Sequence, residues 1–427
     1  MVLEMVMESV FAVSDVFFVS RLGPAAVATV GLTESMLTLI YAVAIGLSIG
    51  VMATVARRIG ERDPDRAAAA AVQGIALGLF FAVGLGAIGG TLAPSLLRLM
   101  GAAPEVVTVG SGFTRVMLGG NVVVVMLFLI NAIFRGAGDA AIAMRVLWFA
   151  NFINIVLGPC LVFGVGPFPK LGVIGAAIGT TIGRGTGVVY QLTQLARRDG
   201  RVVIRRRHIR LDWPLMWSML RLSGSGMLQA LVGMASWIGL VRVLASFGSS
   251  ALAGYTIGIR VIMFALLPSW GLSNAAATMV GQALGAGKPE RAERAVWMAS
   301  FYNMLVLSAV AVVFVLAAEP IVRLFTQDPA VVPYGVACLR FVAFGFPFYA
   351  YGMVLTQSFN GAGDTTTPTW INVGCFWLWE IPLAWVLALH AGMGPSGVFV
   401  SIMVAFSTLA LVSAVIFRRG RWKLRRV

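Results

Sequence analysis

The sequence predicts an all-α integral membrane protein of twelve transmembrane helices, arranged as two parallel six-helix repeats, and three observations predict it. The first is apolarity. Hydrophobic residues make up 59% of the chain and charged residues 11%, with mean hydropathy +0.91, more apolar surface than a soluble domain has interior to hide. The second is a polar run between two very apolar halves, carrying Arg197, Arg198, Arg201, Arg205, Arg206, Arg207 and Arg210. A cation at the bilayer centre costs at least ~2.5–3.5 kcal/mol, so this run lies in water. The third is duplication. Gly23 recurs at Gly248, an offset of 248 − 23 = 225, and the same offset relates Gly46 to Gly271, Gly60 to Gly285, Pro64 to Pro289, Arg115 to Arg340 and Gly172-Val173 to Gly397-Val398. It also relates the segment Phe134 to Asp139, FRGAGD, to Phe359 to Asp364, FNGAGD. Chance glycine pairs do not hold one offset over roughly 150 residues.

A span needs about 20 apolar residues. Glycine, proline and charge punctuation places six in the first half, at 1–22, 26–56, 67–93, 106–134, 143–164 and 172–196. The second half repeats them at 214–247, 251–281, 292–318, 331–359, 367–390 and 396–417. The longest must tilt or protrude. The expected domains are an N-terminal lobe over 1–196, an arginine-rich linker over 197–213, a C-terminal lobe over 214–417 and a basic tail over 418–427. Pro214 opens the second half, and its partner falls before Met1, so helix one is expected to lack its first residues.

Loop charges set the orientation. Arg57, Arg58, Arg62, Arg66, Arg135, Arg145, the linker arginines, Lys288, Arg291, Arg294 and the tail cations fall on one side, against Arg21, Arg98, Lys170 and Arg323 on the other. The positive-inside rule therefore assigns both termini to the cytoplasm of a multi-pass protein of a bacterial-type inner (plasma) membrane. A net charge of +15 gathered in loops argues against a nucleic-acid partner. Cys160, Cys338 and Cys375 sit in apolar segments as small buried hydrophobes, and His208 and His390 are too far apart in sequence to suggest a metal site.

Charges left inside spans are functional candidates, with partners expected. They are Glu4, Glu8, Asp15, Glu34, Arg115 and Arg184 in the first half, and Arg221, Arg242, Arg260, Arg340 and Glu380 in the second. At 100° per residue Glu4, Glu8 and Asp15 fall at about 0°, 40° and 20° on helix one, a single face. Asp15 lies about 12 Å from the outer end of that helix, eight residues before Gly23. A desolvated carboxylate there either takes a proton or finds a cation. Glu8 and Glu34 are possible additional acids on the same path. The two GAGD segments read as tight turns in which Asp139 and Asp364 cap the next helix. Gly46 to Gly50 and Gly271 to Gly281 predict bending or close packing in the second span of each half.

The chain resembles the multidrug and toxic compound extrusion family of secondary transporters. The resemblance rests on the repeat together with SDVFFVSRLGPAAVATVG (Ser14 to Gly31), the VARRIGERDP and VGQALGAGKP loops, FRGAGD and FNGAGD, and GVIGAAIGTT (Gly172 to Thr181). It implies a V-shaped pair of six-helix lobes that exports organic, often cationic compounds in exchange for protons or sodium ions. Asp15 is similar to the helix-one aspartate that the family uses for cation coupling, Asn154 to its fifth-helix asparagine and Thr180 to its sixth-helix threonine. Gly158 stands where many members carry an aspartate, and Gly233 and Tyr349 stand at the second-half acids of one branch. These departures favour a proton over sodium at Asp15 and argue against a second-lobe cation site. Arg260 is a candidate gate or cleft charge. No cofactor is expected beyond the coupling ion. The partners expected are small organic substrates and membrane lipids, with the chain acting as a monomer and not as an enzyme. A lipid-linked saccharide flippase of related architecture and an integral-membrane enzyme stay open as alternatives.

Overall fold

Backbone chemistry sets where the helices begin and end. The computed structural model describes Val19 and residues 22–197 and 200–425. Its helices are α1 (Pro24–Gly60), α2 (Pro64–Leu99), α3 (Pro104–Ala137, interrupted at Gly120), α4 (Ala140–Phe163), α5 (Val173–Ala196), α6 (Trp213–Ala245), α7 (Ser249–Gly285), α8 (Pro289–Arg323), α9 (Val332–Gly361), α10 (Thr366–His390) and α11 (Pro395–Arg418). Helices α1, α2, α3, α8 and α11 open on proline, whose missing N–H would have had no partner in the first turn. Among the described residues, ten of these helices are long and apolar enough to cross a membrane. The exception is α5, expected as a span over 172–196. Its glycines, threonines, glutamines and Arg184 dilute its hydropathy, and its buried glycine face is made for neighbouring helices. Side chains such as Phe80, Leu99, Leu316 and Leu378 stand exposed, an outer surface suited to hydrocarbon.

Two compact units divide the described chain, one ending at Met227 and the other running from Leu228 to the C-terminus. The division falls inside α6 and not at the arginine-rich segment. In the first unit α3 touches α1, α2 and α5, and in the second α9 touches α7, α8 and α11. These are equivalent sets, and in each central helix the most apolar stretch is 61% buried.

The repeat extends to single contacts. Gly23 (φ 101°, ψ 173°) precedes α1 as Gly248 (φ 95°, ψ 173°) precedes α7. A Cβ on Gly136 would stand 2.8 Å from the carbonyl oxygen of Met52, and one on Gly361 would overlap the carbonyl oxygen of Ala277. Both pairs obey the offset, since 52 + 225 = 277 and 136 + 225 = 361. One sequence match is corrected. The glycine before α11 that shares the backbone of Gly172 (φ 58°) is Gly394 (φ 59°), not Gly397, because the loop before it is shorter.

The GAGD turns form as expected, but the aspartates do not cap. Gly138 and Gly363 both have φ 82°, and the N–H groups of Asp139 and Asp364 bond the carbonyls of Phe134 (2.8 Å) and Phe359 (2.9 Å). This is the six-residue closure of a left-handed helix end. The Asp139 side chain makes no cap bond. Asp364 instead accepts from the hydroxyls of Thr366 (3.0 Å) and Thr367 (2.7 Å) and pairs with Arg425 (3.2 Å).

The arginine-rich segment folds onto the first unit. Gln73, 1% exposed, donates from Nε2 to the Arg210 carbonyl (2.7 Å) and accepts at Oε1 from the Asp212 N–H (3.2 Å). Arg201 reaches the Ala137 carbonyl at 3.2 Å. The buried His208 accepts at Nδ1 from the Arg205 N–H (3.2 Å), and its Nε2 stands 3.1 Å from both the Asp65 carboxylate and the Arg207 Nε. Arg207 completes the cluster on Asp65 at 2.5 Å.

Two measurements test these readings. Arg62 adopts a left-handed φ of 60° at the end of α1, where the repeat places Gly287 (φ 68°). Arg62→Gly should raise stability by roughly 0.5–1 kcal/mol, the left-handed penalty less the entropy that glycine loses; a lower unfolding midpoint in detergent would contradict this. The hydrogen bond from Arg207 holds the Asp65 carboxyl below its usual range. Its contribution is therefore complete above the unfolded aspartate value and is lost as pH falls through the lower folded value. Arg207→Gln should move the Asp65 titration upward, as read from carboxyl carbon-13 shifts.

Candidate functional site

Small residues let α4 and α5 approach closely enough to bury polar side chains between them. A Cβ on Gly179 would lie 3.3 Å from the Cα of Gly158, one on Gly183 would lie 2.8 Å from the Ala150 carbonyl oxygen, and Gly175 abuts the Leu161 backbone. In lipid, such stripes bring helices together because apolar side chains gain little by leaving hydrocarbon for one another. The approach places Asn154 (1% exposed) against Thr180 (2% exposed), with Nδ2 donating to Oγ1 at 3.0 Å. The two residues paired by the resemblance are thus neighbours inside the first unit. Gly158, where an acid was looked for, serves this helix contact.

Asp15, Glu4 and Glu8 lie outside the described residues. Glu34 is exposed on α1, next to the buried Thr33. Arg260 is exposed on α7, as are Arg221 and Arg242 on α6. Arg340 is exposed on α9 and donates to the Val315 carbonyl at 3.2 Å. Arg184 on α5 faces the Tyr41 hydroxyl at 3.4 Å. In the second unit Tyr349 stacks on Phe406 with ring centroids 3.8 Å apart, and Gly233 faces open space. Glu380 is buried on α10, at 3% exposure. Among the described residues no group of three or more His, Cys, Asp or Glu side chains is placed to hold a metal ion, and Cys160, Cys338 and Cys375 are free thiols.

A search for charges passes over the neutral polar groups that the structure gathers in the first unit. Thr33 and Thr114, both fully buried, share a hydroxyl hydrogen bond of 2.8 Å. Each is also within reach of a carbonyl one turn back, Thr29 at 2.8 Å and Gly110 at 3.1 Å, so one hydroxyl keeps its own carbonyl while the other bridges the helices. Gln191 on α5 donates to Asn131 Oδ1 on α3 at 2.7 Å, and the Oε1 of the same glutamine and the Oδ1 of Asn121 find no partner among the described residues. The available signal was an amide or hydroxyl within an apolar span, a weaker mark than a charge because its burial costs less.

The family profile described as MatE matches residues 1–160 and 224–386. A curated relative from Thermotoga maritima, "Probable multidrug resistance protein NorM", is 26% identical over 425 residues, covering 99% of this chain and 91% of its own. A solved structure described as an outward-facing conformation of a multidrug resistance MATE family transporter of the MOP superfamily superposes with a TM-score of 0.92 at 27% identity, covering 100% of this chain and 95% of that one. A MOP superfamily transporter from Pyrococcus furiosus, described by a reverse polarity of its binding pocket that suggests a different function, superposes equally well, with a TM-score of 0.92 at 26% identity, covering 100% of this chain and 94% of that one.

The Asn154–Thr180 bond is open to a double-mutant cycle. Asn154→Ala and Thr180→Val should each destabilise the protein, and the pair should couple by about 1 kcal/mol, the net worth of a buried neutral hydrogen bond. Strict additivity in unfolding measurements would count against the contact.

Proposed function

The chain belongs to the MatE family of multi-pass membrane transporters, and from that membership we propose that it is a secondary antiporter exporting organic, cationic or amphiphilic compounds in exchange for protons or sodium ions by alternating access. The drug-resistance names of similar proteins support the substrate class. The proposed architecture is twelve helices in two parallel lobes forming a V, with helix one completing the first lobe, the arginine-rich run and both termini in the cytoplasm, and a monomer as the working unit. No cofactor is invoked beyond the coupling ion.

The observation that carries the coupling site is the buried Asn154–Thr180 pair, an amide and a hydroxyl kept dry inside an apolar unit. Asp15 is the ionisable partner in this reading, with Asn154 and Thr180 positioning it. Protonation of Asp15 neutralises the pocket and changes the packing of helix one, and substrate favours the other proton state. Export and ion entry are then tied by linkage, each able to bias the equilibrium only by its differential affinity for the two states. Gly158 withholds a second carboxylate from the site, which favours a proton over sodium, and Glu8 and Glu34 are the candidate supplementary acids. Arg260 serves as a gate charge.

A second reading, a lipid-linked saccharide flippase, is favoured by Arg221, Arg242 and Arg260 standing exposed within spans, where they could meet phosphate. A relative from Pyrococcus furiosus is described by a reverse polarity of its binding pocket that suggests a different function.

The test is export from proteoliposomes under an imposed pH gradient and then a sodium gradient. Asp15→Asn should abolish gradient-driven export while the protein still inserts and folds, and coupled export retained in that variant would sink the mechanism. Wild-type vesicles that translocate a lipid-linked pyrophosphate but no organic cation would instead select the flippase.

A further inference from the structure

The offset of 225 fails at one place inside α10, and the failure changes which residues are equivalent. In the first unit Gly175 of α5 abuts the Leu161 carbonyl carbon and the Val162 nitrogen, and in the second Gly397 of α11 abuts the Leu387 carbonyl carbon and the Ala388 nitrogen. Here 387 − 161 = 226 and 388 − 162 = 226, whereas the GAGD turns before these helices keep 363 − 138 = 225. One residue has entered between Asp364 and Leu387. The π-helical stretch Val373–Glu380 lies wholly in that interval, and a π turn is how a helix absorbs an extra residue without breaking. Glu380 closes that stretch: the offset of 226 found at Leu387 sets it opposite Asn154 (154 + 226 = 380), and the offset of 225 found at the GAGD turn sets it opposite the adjoining Ile155. The partner of Thr180, by the offset 397 − 175 = 222 of the final helix, is Ile402. Where the first unit pairs an amide with a hydroxyl, the second has a carboxyl within one residue of the amide's position and an aliphatic residue at the hydroxyl's.

Glu380 is 3% exposed, and no described residue gives its carboxyl a hydrogen bond or an ion pair. The titratable groups electrostatically coupled to it are Tyr255 on α7, Tyr349 on α9 and Cys375 on its own helix, with Cys338 of α9 behind Tyr255. None is a cation. Trp377 donates its indole N–H to the Val232 carbonyl on α6 at 3.0 Å, and Gly239 of α6 is packed by Ile381, so α6 braces the helix on either side of the acid. Helix α11 buries Val398, Phe399 and Ile402. An ionised carboxylate in this apolar setting lacks any compensating charge, whereas the protonated acid asks only for a hydrogen bond. The Tyr255 hydroxyl, itself without a partner among the described residues, is a neighbouring group of the right chemistry.

We propose that Glu380 is a proton-binding site of the second unit, standing within one residue of the position that Asn154 occupies in the first and carrying its proton in the resting protein. In transport it releases that proton and takes it back once per cycle, so that the chain moves one proton more per substrate than a single acid at Asp15 provides. This second statement rests on the antiport reading; the binding of the proton does not.

Infrared spectra of the full-length protein in nanodiscs, at neutral and alkaline pH, separate the two. A protonated-carboxyl band is expected at neutral pH in the wild type and should be missing in Glu380→Gln, which keeps the size and neutrality of the side chain. Identical spectra for the two proteins would overturn the site. In proteoliposomes Glu380→Gln should lower the proton-to-substrate ratio by one while export continues, and an unchanged ratio would overturn its role in coupling. Wild-type protein that shows no gradient-driven export would defeat the antiport reading, and the infrared band would still decide the proton site.

Discussion

Backbone against backbone at glycine is the constraint on which this structure depends. Helices immersed in hydrocarbon satisfy their own N–H and C=O groups and gain little by hiding apolar side chains from lipid, so they associate where van der Waals contact is densest. Gly136 against Met52 and Gly361 against Ala277 hold the central helix of each unit to its neighbour, and Gly158 against Gly179 closes α4 onto α5. Gly46 and Gly226 do the same between α1 and the first part of α6, at 3.1 Å from the Gly226 Cβ position to the Gly46 Cα. A methyl group at most of these points would push the helices apart.

That closeness has a chemical consequence. Helices held at glycine distance exclude water and lipid alike, and a polar side chain caught between them must find its partner there. Among the described residues of the first unit, neutral groups pair with one another in this way, Asn154 with Thr180, Thr33 with Thr114, and Gln191 with Asn131. These bonds are modest individually, yet each makes one arrangement of neighbouring helices cheaper than the alternatives, which is what a transporter needs from a state it must later leave.

The arginine-rich segment shows how a charge pattern can be read correctly and its role only in part. Its density of arginine keeps it out of hydrocarbon, but Gln73, Asp65 and the buried His208 bind it to the first unit as part of that unit's surface. Nothing in the run of arginines signals this, since the partners lie in the first and third turns of α2 and at the end of α3. Similarly, Asp364 was legible as a turn residue, while its bonds to Thr366, Thr367 and Arg425 depend on where the C-terminal segment returns.

Composition, proline and glycine punctuation and the constant offset determined the helical membrane class, nearly every helix boundary and the duplication, because these follow from local backbone chemistry and from the insolubility of charge in lipid. Asn154 and Thr180 were named from motifs, and their helices do bring them together. Tertiary structure alone decided the rest. The sequence offset pairs Glu380 with Ile155, since 380 − 225 = 155, and only the contacts of Gly175 and Gly397 reveal the extra residue, between Asp364 and Leu387, that shifts the register towards Asn154. A π turn costs the sequence one residue and leaves no compositional mark, so its presence is known from which backbones touch. The same holds for the division of the units inside α6 and for the threonine and amide pairs, whose members are far apart in the chain and meet because glycine elsewhere lets their helices close.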